Sequence, residues 1–398
     1  MRVLQLNNNH RIVGGSDRVY LNTGKVLEQA GHQVSYFAAK SDNDEPCKDS
    51  NYFCSSLDTK TATAKDAIKF LRNNDASTSL TQLLSSHNTF DVAHLHIYYG
   101  RLTPSVLGPL RKRNLPIIQT LHEYKLVCPV YTMERNGSVC TKCITGSSLN
   151  CIIHRCKTGS PAKSALIWLE HALASLQGSI RSIDQFICVS EFQKRIFIEG
   201  GVPENKLKTV YNMVDGEALQ PKRQIERGNY HLYYGRIETI KGLNTLLKAA
   251  QISGVPLKIA GSGSWSDVLI ERIRKLPNVD YLGFVGGEPL KELVAGAKAV
   301  IVPSEWYETF GLTAAEAKAV GTPVIAAKIG GLQEVVQDNV DGFLFEPGNV
   351  DALVEALDRL NKANTEEMGA AGKLDVAQRF SAEAYLSNLM QIYESALR

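Results

Sequence analysis

The sequence has no fixed-period repeat, no low-complexity tract and no surplus of either charge. It also lacks any run of about 18 apolar residues, which argues against a membrane-spanning helix. Lysine and arginine number 44 against 41 aspartates and glutamates, a net charge of +3. So even a balance gives no footing for a nucleic-acid partner. The opening residues, MRVLQLNNNH, enter a short apolar segment without a secretory core or small-residue cleavage site. Five of the eight cysteines fall between Cys128 and Cys156. Without a leader, that clustering suggests reduced thiols or a metal site rather than a disulfide framework, and a cytoplasmic protein. The G-x-G-x-x-G fingerprint is missing, so dinucleotide binding gains little support.

What is present describes an ordinary globular chain, with 44% hydrophobic and 21% charged residues. A length of 398 residues exceeds what one core usually serves and predicts two domains of about 150–200 residues. Short apolar runs (RVLQLN, HQVSYFAA, DVAHLHIY, LPIIQTLH, QFICVSEF) alternate with amphipathic segments up to residue 211. A break rich in Pro, Gly and mixed charge spans 212–229, and alternation resumes over 230–380. This pattern predicts an α/β chain of two Rossmann-like, doubly wound parallel-sheet domains facing a central cleft. A final helix over 381–398 has no strand after it and is expected to pack back onto the first domain. Ligands in such folds bind at strand carboxyl ends, so the cleft is the expected site.

The stretch PSEWYETFGLTAAEAKAV places Glu308 before a predicted helix and Glu316 inside it. Bare N–H groups of Phe310, Gly311, Leu312 and Thr313 at that helix start suit a phosphate. Two acids beside a phosphate make sense if each accepts from hydroxyls, and a nucleotide sugar supplies both kinds of partner. In YYGRIETIKG, Arg236 offers a fork and Lys241 a point charge for a departing diphosphate. Gly14 and Gly15 open the first helix and present another set of N–H groups, unless they form only a tight turn.

Together these elements resemble the retaining glycosyltransferases of family 4. Glu308 and Glu316 match the family's E-x7-E pattern, GRIETIKG its G-R-x4-K-G element, and GTPVIAAKIGGLQEVV and DGFLFEPGNVDAL its second domain. VYNMVD departs from the family's common N-G-V-D turn at Met213. The resemblance implies the GT-B fold and metal-independent transfer of a hexose-type sugar, with retention, from a nucleotide-diphosphate sugar to a hydroxyl acceptor. That acceptor would be a glycan or lipid-linked glycan of cell-surface polysaccharide synthesis. The resemblance further implies Glu308 on the donor sugar, Glu316 on the ribose, and Arg236 and Lys241 on the diphosphate, with amides of Gly15, Gly311 and Leu312. His122, in LPIIQTLHEY, falls where the family has a histidine beside the donor sugar; a core histidine is the alternative. A nucleotide-sugar epimerase or a non-catalytic nucleotide-sugar-binding protein on the same fold are the competing readings.

The cysteine-rich stretch 128–156 contains a C-x2-C knuckle, Cys140 and Cys143, flanked by Cys128 and Cys156. Four thiolates at these spacings suit a structural zinc; packed thiols and an iron–sulfur cluster are the alternatives. No cofactor is expected for catalysis. The amphipathic segment after it, containing Lys163, Trp168 and Arg181, either contacts the inner membrane surface peripherally or packs within the first domain.

Overall fold

Strands that are apolar on both faces need helices on both sides, and the computed structural model, which describes residues 1–56, 64–87 and 89–397, has that arrangement twice. In chain order the strands are β1 (Arg2–Leu6), β2 (Gln33–Phe37), β3 (Val92–Leu95), β4 (Ile117–Leu121), β5 (Glu134–Arg135), β6 (Ser138–Val139), β7 (Gln185–Cys188) and β8 (Leu207–Thr209) in the first half. The second half has β9 (His231–Tyr234), β10 (Leu257–Ala260), β11 (Val279–Tyr281), β12 (Ala299–Val302), β13 (Val324–Ala327) and β14 (Gly342–Phe345). One parallel sheet runs β2-β1-β3-β4-β7-β8 and the other β11-β10-β9-β12-β13-β14. The β3, β4, β9, β12 and β13 strands are buried along their whole length. Strand order reverses between β1 and β3 and again between β9 and β12, and the carboxyl ends there deliver Asn7, Gly235 and Pro303 to the cleft.

The segment between the sheets holds a short helix, Gly216–Leu219, started by the Asp215 carboxylate accepting from Ala218 N–H at 2.9 Å. Met213 is buried and is not among the positive-φ residues, so this turn does not need the glycine. The chain crosses back at its end. The helix Ala382–Ala396 buries Tyr385, Leu389, Ile392 and Tyr393 against Val3, Val34, Val92, Ile118 and Ile187 of the first sheet. Two hydroxyls fix it there: Tyr393 Oη lies 2.7 Å from His94 Nδ1 and Tyr385 Oη 2.8 Å from Thr23 Oγ1. Arg398 lies outside the described residues.

The cysteine-rich insertion carries only the antiparallel β5–β6 hairpin and a short helix, Asn150–Ile153. The helix after it, Pro161–Leu176, is capped by Ser160 and rests Trp168 on the insertion, with Nε1 donating to Ser148 Oγ at 3.1 Å. Its buried face carries Glu170, paired at 2.5 Å with Lys125. Arg181 lies beyond the helix end. No helix among the described residues is long and apolar enough to cross a membrane.

Candidate active site

The turn after β12 brings an acid and a cation together. Lys241 Nζ donates to Glu308 Oε1 at 2.6 Å, and Ser304 Oγ donates to the same oxygen at 2.6 Å. The ammonium also lies 4.8 Å from the Trp306 ring centre, a cation–π distance. Burial by itself would raise the Glu308 carboxyl, but Lys241 and Ser304 outweigh it and hold it below the usual range. Lys241 is held there by its neighbour. Gly242 has φ 71°, and a Cβ on it would meet Pro303 O at 1.8 Å, so only glycine lets the two turns touch.

Glu308 is followed by Gly311, at φ 113°, which starts the helix Leu312–Ala319. The N–H groups of Phe310, Gly311, Leu312 and Thr313 donate to no group among the described residues. That leaves several donors and the positive end of a helix for an anion. Gly15 stands opposite, since a Cβ there would lie 3.0 Å from Leu312 Cδ1. The Gly14 amide is not available as expected: it donates to Asp17 Oδ2 at 3.0 Å, because Asp17 caps the first helix, Gly15–Gln29.

One turn into the helix, Glu316 accepts from Tyr234 Oη at 3.3 Å and pairs with Arg18 of the first domain. Burial pushes the Glu316 carboxyl up, and Arg18 and Tyr234 only partly oppose it. Arg236 is the expected residue that the structure does not bring in. Its side chain is 61% exposed and pairs at 2.9 Å with Glu238, whereas Lys241 is 16% exposed. The pair imagined from the sequence is thus split: Lys241 in the crevice, Arg236 at its rim.

From the first domain, His122 follows β4 and its carbonyl accepts from Thr309 Oγ1 at 3.4 Å, directly across the domain boundary. Ser190 Oγ donates to Thr309 O at 2.6 Å, and Glu334 takes the N–H groups of Glu191 and Phe192 at 2.8 and 2.6 Å. These contacts seat the Glu308 loop on the first domain. His122 Nε2 lies 2.9 Å from His96 Nδ1, and burial lowers its pKa to about 3, so the ring is neutral. Next to it, burial raises the Glu123 carboxyl to about 7, against the pull of Lys125.

Arg18, His96, Tyr234 and Ser304 are site residues that sequence reading missed. Tyr234, His96 and Ser304 sit at or just after strand carboxyl ends, which was the available signal; Arg18 acts through a long-range contact that carries none. The cysteines are all free thiols. Burial and the neighbouring thiols Cys128, Cys151, Cys156 and Cys140 push Cys143 up to about 12, so the group shares one neighbourhood. Among the described residues, however, no three or more His, Cys, Asp or Glu are arranged to hold a metal. The four-thiolate set expected from the spacing is not formed in this arrangement.

With this geometry in place, comparison with known proteins is direct. A family model described as Glycosyltransferase Family 4 matches residues 13–218, more than half of the chain, and one described as Glycosyl transferases group 1 matches 215–375. The chain belongs to this glycosyltransferase family. It is 26% identical to an uncharacterized 41.2 kDa protein in the cps region of Klebsiella pneumoniae, over 87% of this chain and 92% of that one. It is 33% identical to the O-antigen chain mannosyltransferase B of Escherichia coli, over 44% of this chain and 48% of that protein. The chain spans about half the length of several such curated relatives. Among solved structures, Anabaena Alr3699/HepE in complex with UDP matches with a TM-score of 0.68 at 16% identity, covering 99% of this chain and 100% of that one. The glycosyltransferase therefore has the GT-B fold, two Rossmann-like domains around a cleft.

Proposed function

We propose that this glycosyltransferase moves a hexose-type sugar, with retention, from a nucleotide-diphosphate sugar to a hydroxyl acceptor. The acceptor is a glycan or lipid-linked glycan of cell-surface polysaccharide synthesis. The observation that carries this reading is the Lys241–Glu308–Ser304 cluster beside the unpaired amides of Phe310 to Thr313. Negative charge grows on the leaving diphosphate as the sugar becomes oxocarbenium-like. A fixed ammonium and preorganised amides in a water-poor crevice stabilise it, each donor contributing about 2.7–4 kcal/mol by comparison with oxyanion holes. Glu308 accepts from a hydroxyl of the donor sugar, and Glu316 from the ribose once Arg18 is displaced. Arg236 swings from Glu238 onto the diphosphate as the mouth closes. The acceptor hydroxyl attacks from the leaving-group side and passes its proton to the departing phosphate. The catalytic groups named here are the protein's own, so no cofactor is assigned to the reaction.

The cell-surface role is consistent with the named relatives, a protein in a cps region and an O-antigen mannosyltransferase. We place the chain in the cytoplasm, touching the inner membrane surface peripherally when its acceptor is lipid-linked. The thiol cluster is kept apart from catalysis. Cys128, Cys140, Cys143 and Cys156 are proposed as the thiolates that would hold a structural zinc. Metal analysis of the purified chain tests this: one equivalent of zinc supports it and none removes it.

A thermal-shift screen against UDP-, GDP-, ADP- and dTDP-sugars tests the donor reading. One nucleotide class should raise the midpoint, and a flat response to all four would remove it.

A further inference from the structure

Three histidines lie in a row beneath the cleft. The rings of His94 and His96 lie 4.5 Å apart, and those of His96 and His122 lie 5.2 Å apart at 12°. All three are neutral, since burial lowers each pKa. His94 is satisfied by two hydroxyls, Tyr393 Oη at its Nδ1 and Thr120 Oγ1 at 2.8 Å from its Nε2, which adjust to either tautomer. His96 has no such freedom. Its Nδ1 faces His122 Nε2, and its own Nε2 is buried with no partner.

Between two neutral imidazoles, one nitrogen donates and the other accepts. If His122 donated from Nε2, His96 would carry its proton on Nε2 and bury an N–H with nothing to receive it. If His96 donates from Nδ1, its Nε2 is a bare lone pair instead. Orphaned buried donors are the rarer and costlier case. We infer that His96 is a positioning residue that donates to His122 Nε2, so that His122 presents Nδ1–H to the cleft as a hydrogen-bond donor. The second nitrogen of His122 fits this role: Nδ1 has no partner among the described residues and is not sealed from solvent. His122 then meets an oxygen of the donor sugar as a donor, complementary to Glu308, which meets a hydroxyl as an acceptor. This deepens the proposed function and rests on it for the identity of the ligand, though not for the tautomer.

The test uses the full chain, 15N-labelled at histidine and free of donor, with the His122 signals assigned by their loss in His122→Gln. Long-range proton–nitrogen spectra should show His122 with a protonated Nδ1 and a bare Nε2; the opposite pattern overturns the inference. Two variants read the consequence. His96→Asn keeps an amide donor near the place of Nδ1 and should hold kcat/KM within about threefold of the parent. His96→Asp offers only an acceptor, should pull the His122 proton to Nε2, and should lower kcat/KM by about tenfold or more, the value of one ordinary hydrogen bond. Equal activity in the two variants, both folded by thermal midpoint, would also overturn it. The spectrum is read without donor, so its failure is separate from that of the transferase reading, which shows as no turnover by the parent.

Discussion

Arg18, on the first helix of one domain, forms an ion pair with Glu316, inside a helix of the other. The acid expected to hold a ribose is thus already occupied by a cation from across the cleft. Glu316 is only 12% exposed, whereas Arg18 is 45% exposed. Such a pair contributes little to stability, and it must open before ribose hydroxyls reach the carboxylate.

Replacing Arg18 by alanine should therefore shift the thermal midpoint little. It should tighten binding of the free nucleoside several-fold at a pH above the raised pKa of Glu316, where that acid is ionised. Calorimetric titration over a series of pH values reads this. Unchanged or weaker nucleoside binding would remove the competition between arginine and ribose.

For Lys241→Met, turnover should fall by about 10²–10³ while the fold persists. Glu308 supplies a second readout. Its folded pKa is depressed, so its contribution to stability is full above the ordinary carboxylate value of about 4.3 and is lost as pH falls through the lower folded value. Without Lys241 the buried acid is unopposed and that acid-side loss should disappear. Thermal midpoints of parent and variant between pH 3 and 7 (roughly, bracketing the carboxylate range) check this.

Glu123 predicts the opposite slope. Its folded pKa, about 7, stands above the usual 4.5. The stability linked to it is present below the ordinary value and is lost as pH rises through about 7. Glu123→Gln should flatten the decline in thermal midpoint across that window. An unchanged profile would show that the carboxyl is ionised there at no cost.

Lys318 is fully buried at the far end of the helix that begins at Gly311, with Asp341 and Asp375 each 2.6 Å away. Lys318→Met leaves the buried Asp341 without its cation, and Asp375 with Arg379 alone, and should cost about 3–5 kcal/mol. Denaturant unfolding measures it. A loss of less than 1 kcal/mol (roughly the size of an exposed pair) would mean that water reaches the site.

The two sheets were legible because strands covered on both faces read as unbroken apolar runs, as in AVIV of β12 or VIAA of β13. The β8 strand, LKT, is short and only partly buried, and it follows directly on the 3-10 turn Glu204–Lys206. Glu308, Glu316 and Lys241 were legible as elements of known spacing at strand ends. Their pairing was not, because Lys241 reaches Glu308 only through the close approach of Gly242 to Pro303. Arg236 was read with Lys241 as a diphosphate pair from the G-R-x4-K-G element at the carboxyl end of β9, but its guanidinium pairs with Glu238 whereas Lys241 pairs with Glu308.

The most direct measurement is calorimetric binding of UDP, GDP, ADP and dTDP to the parent chain and to Lys241→Ala. One of the four should bind the parent, and its affinity should drop by about 100-fold or more in the variant, the scale of one preorganised donor to a charged group. Equal affinities in the two proteins, or no binding of any of the four to the parent, would contradict the assignment of this crevice to the donor diphosphate.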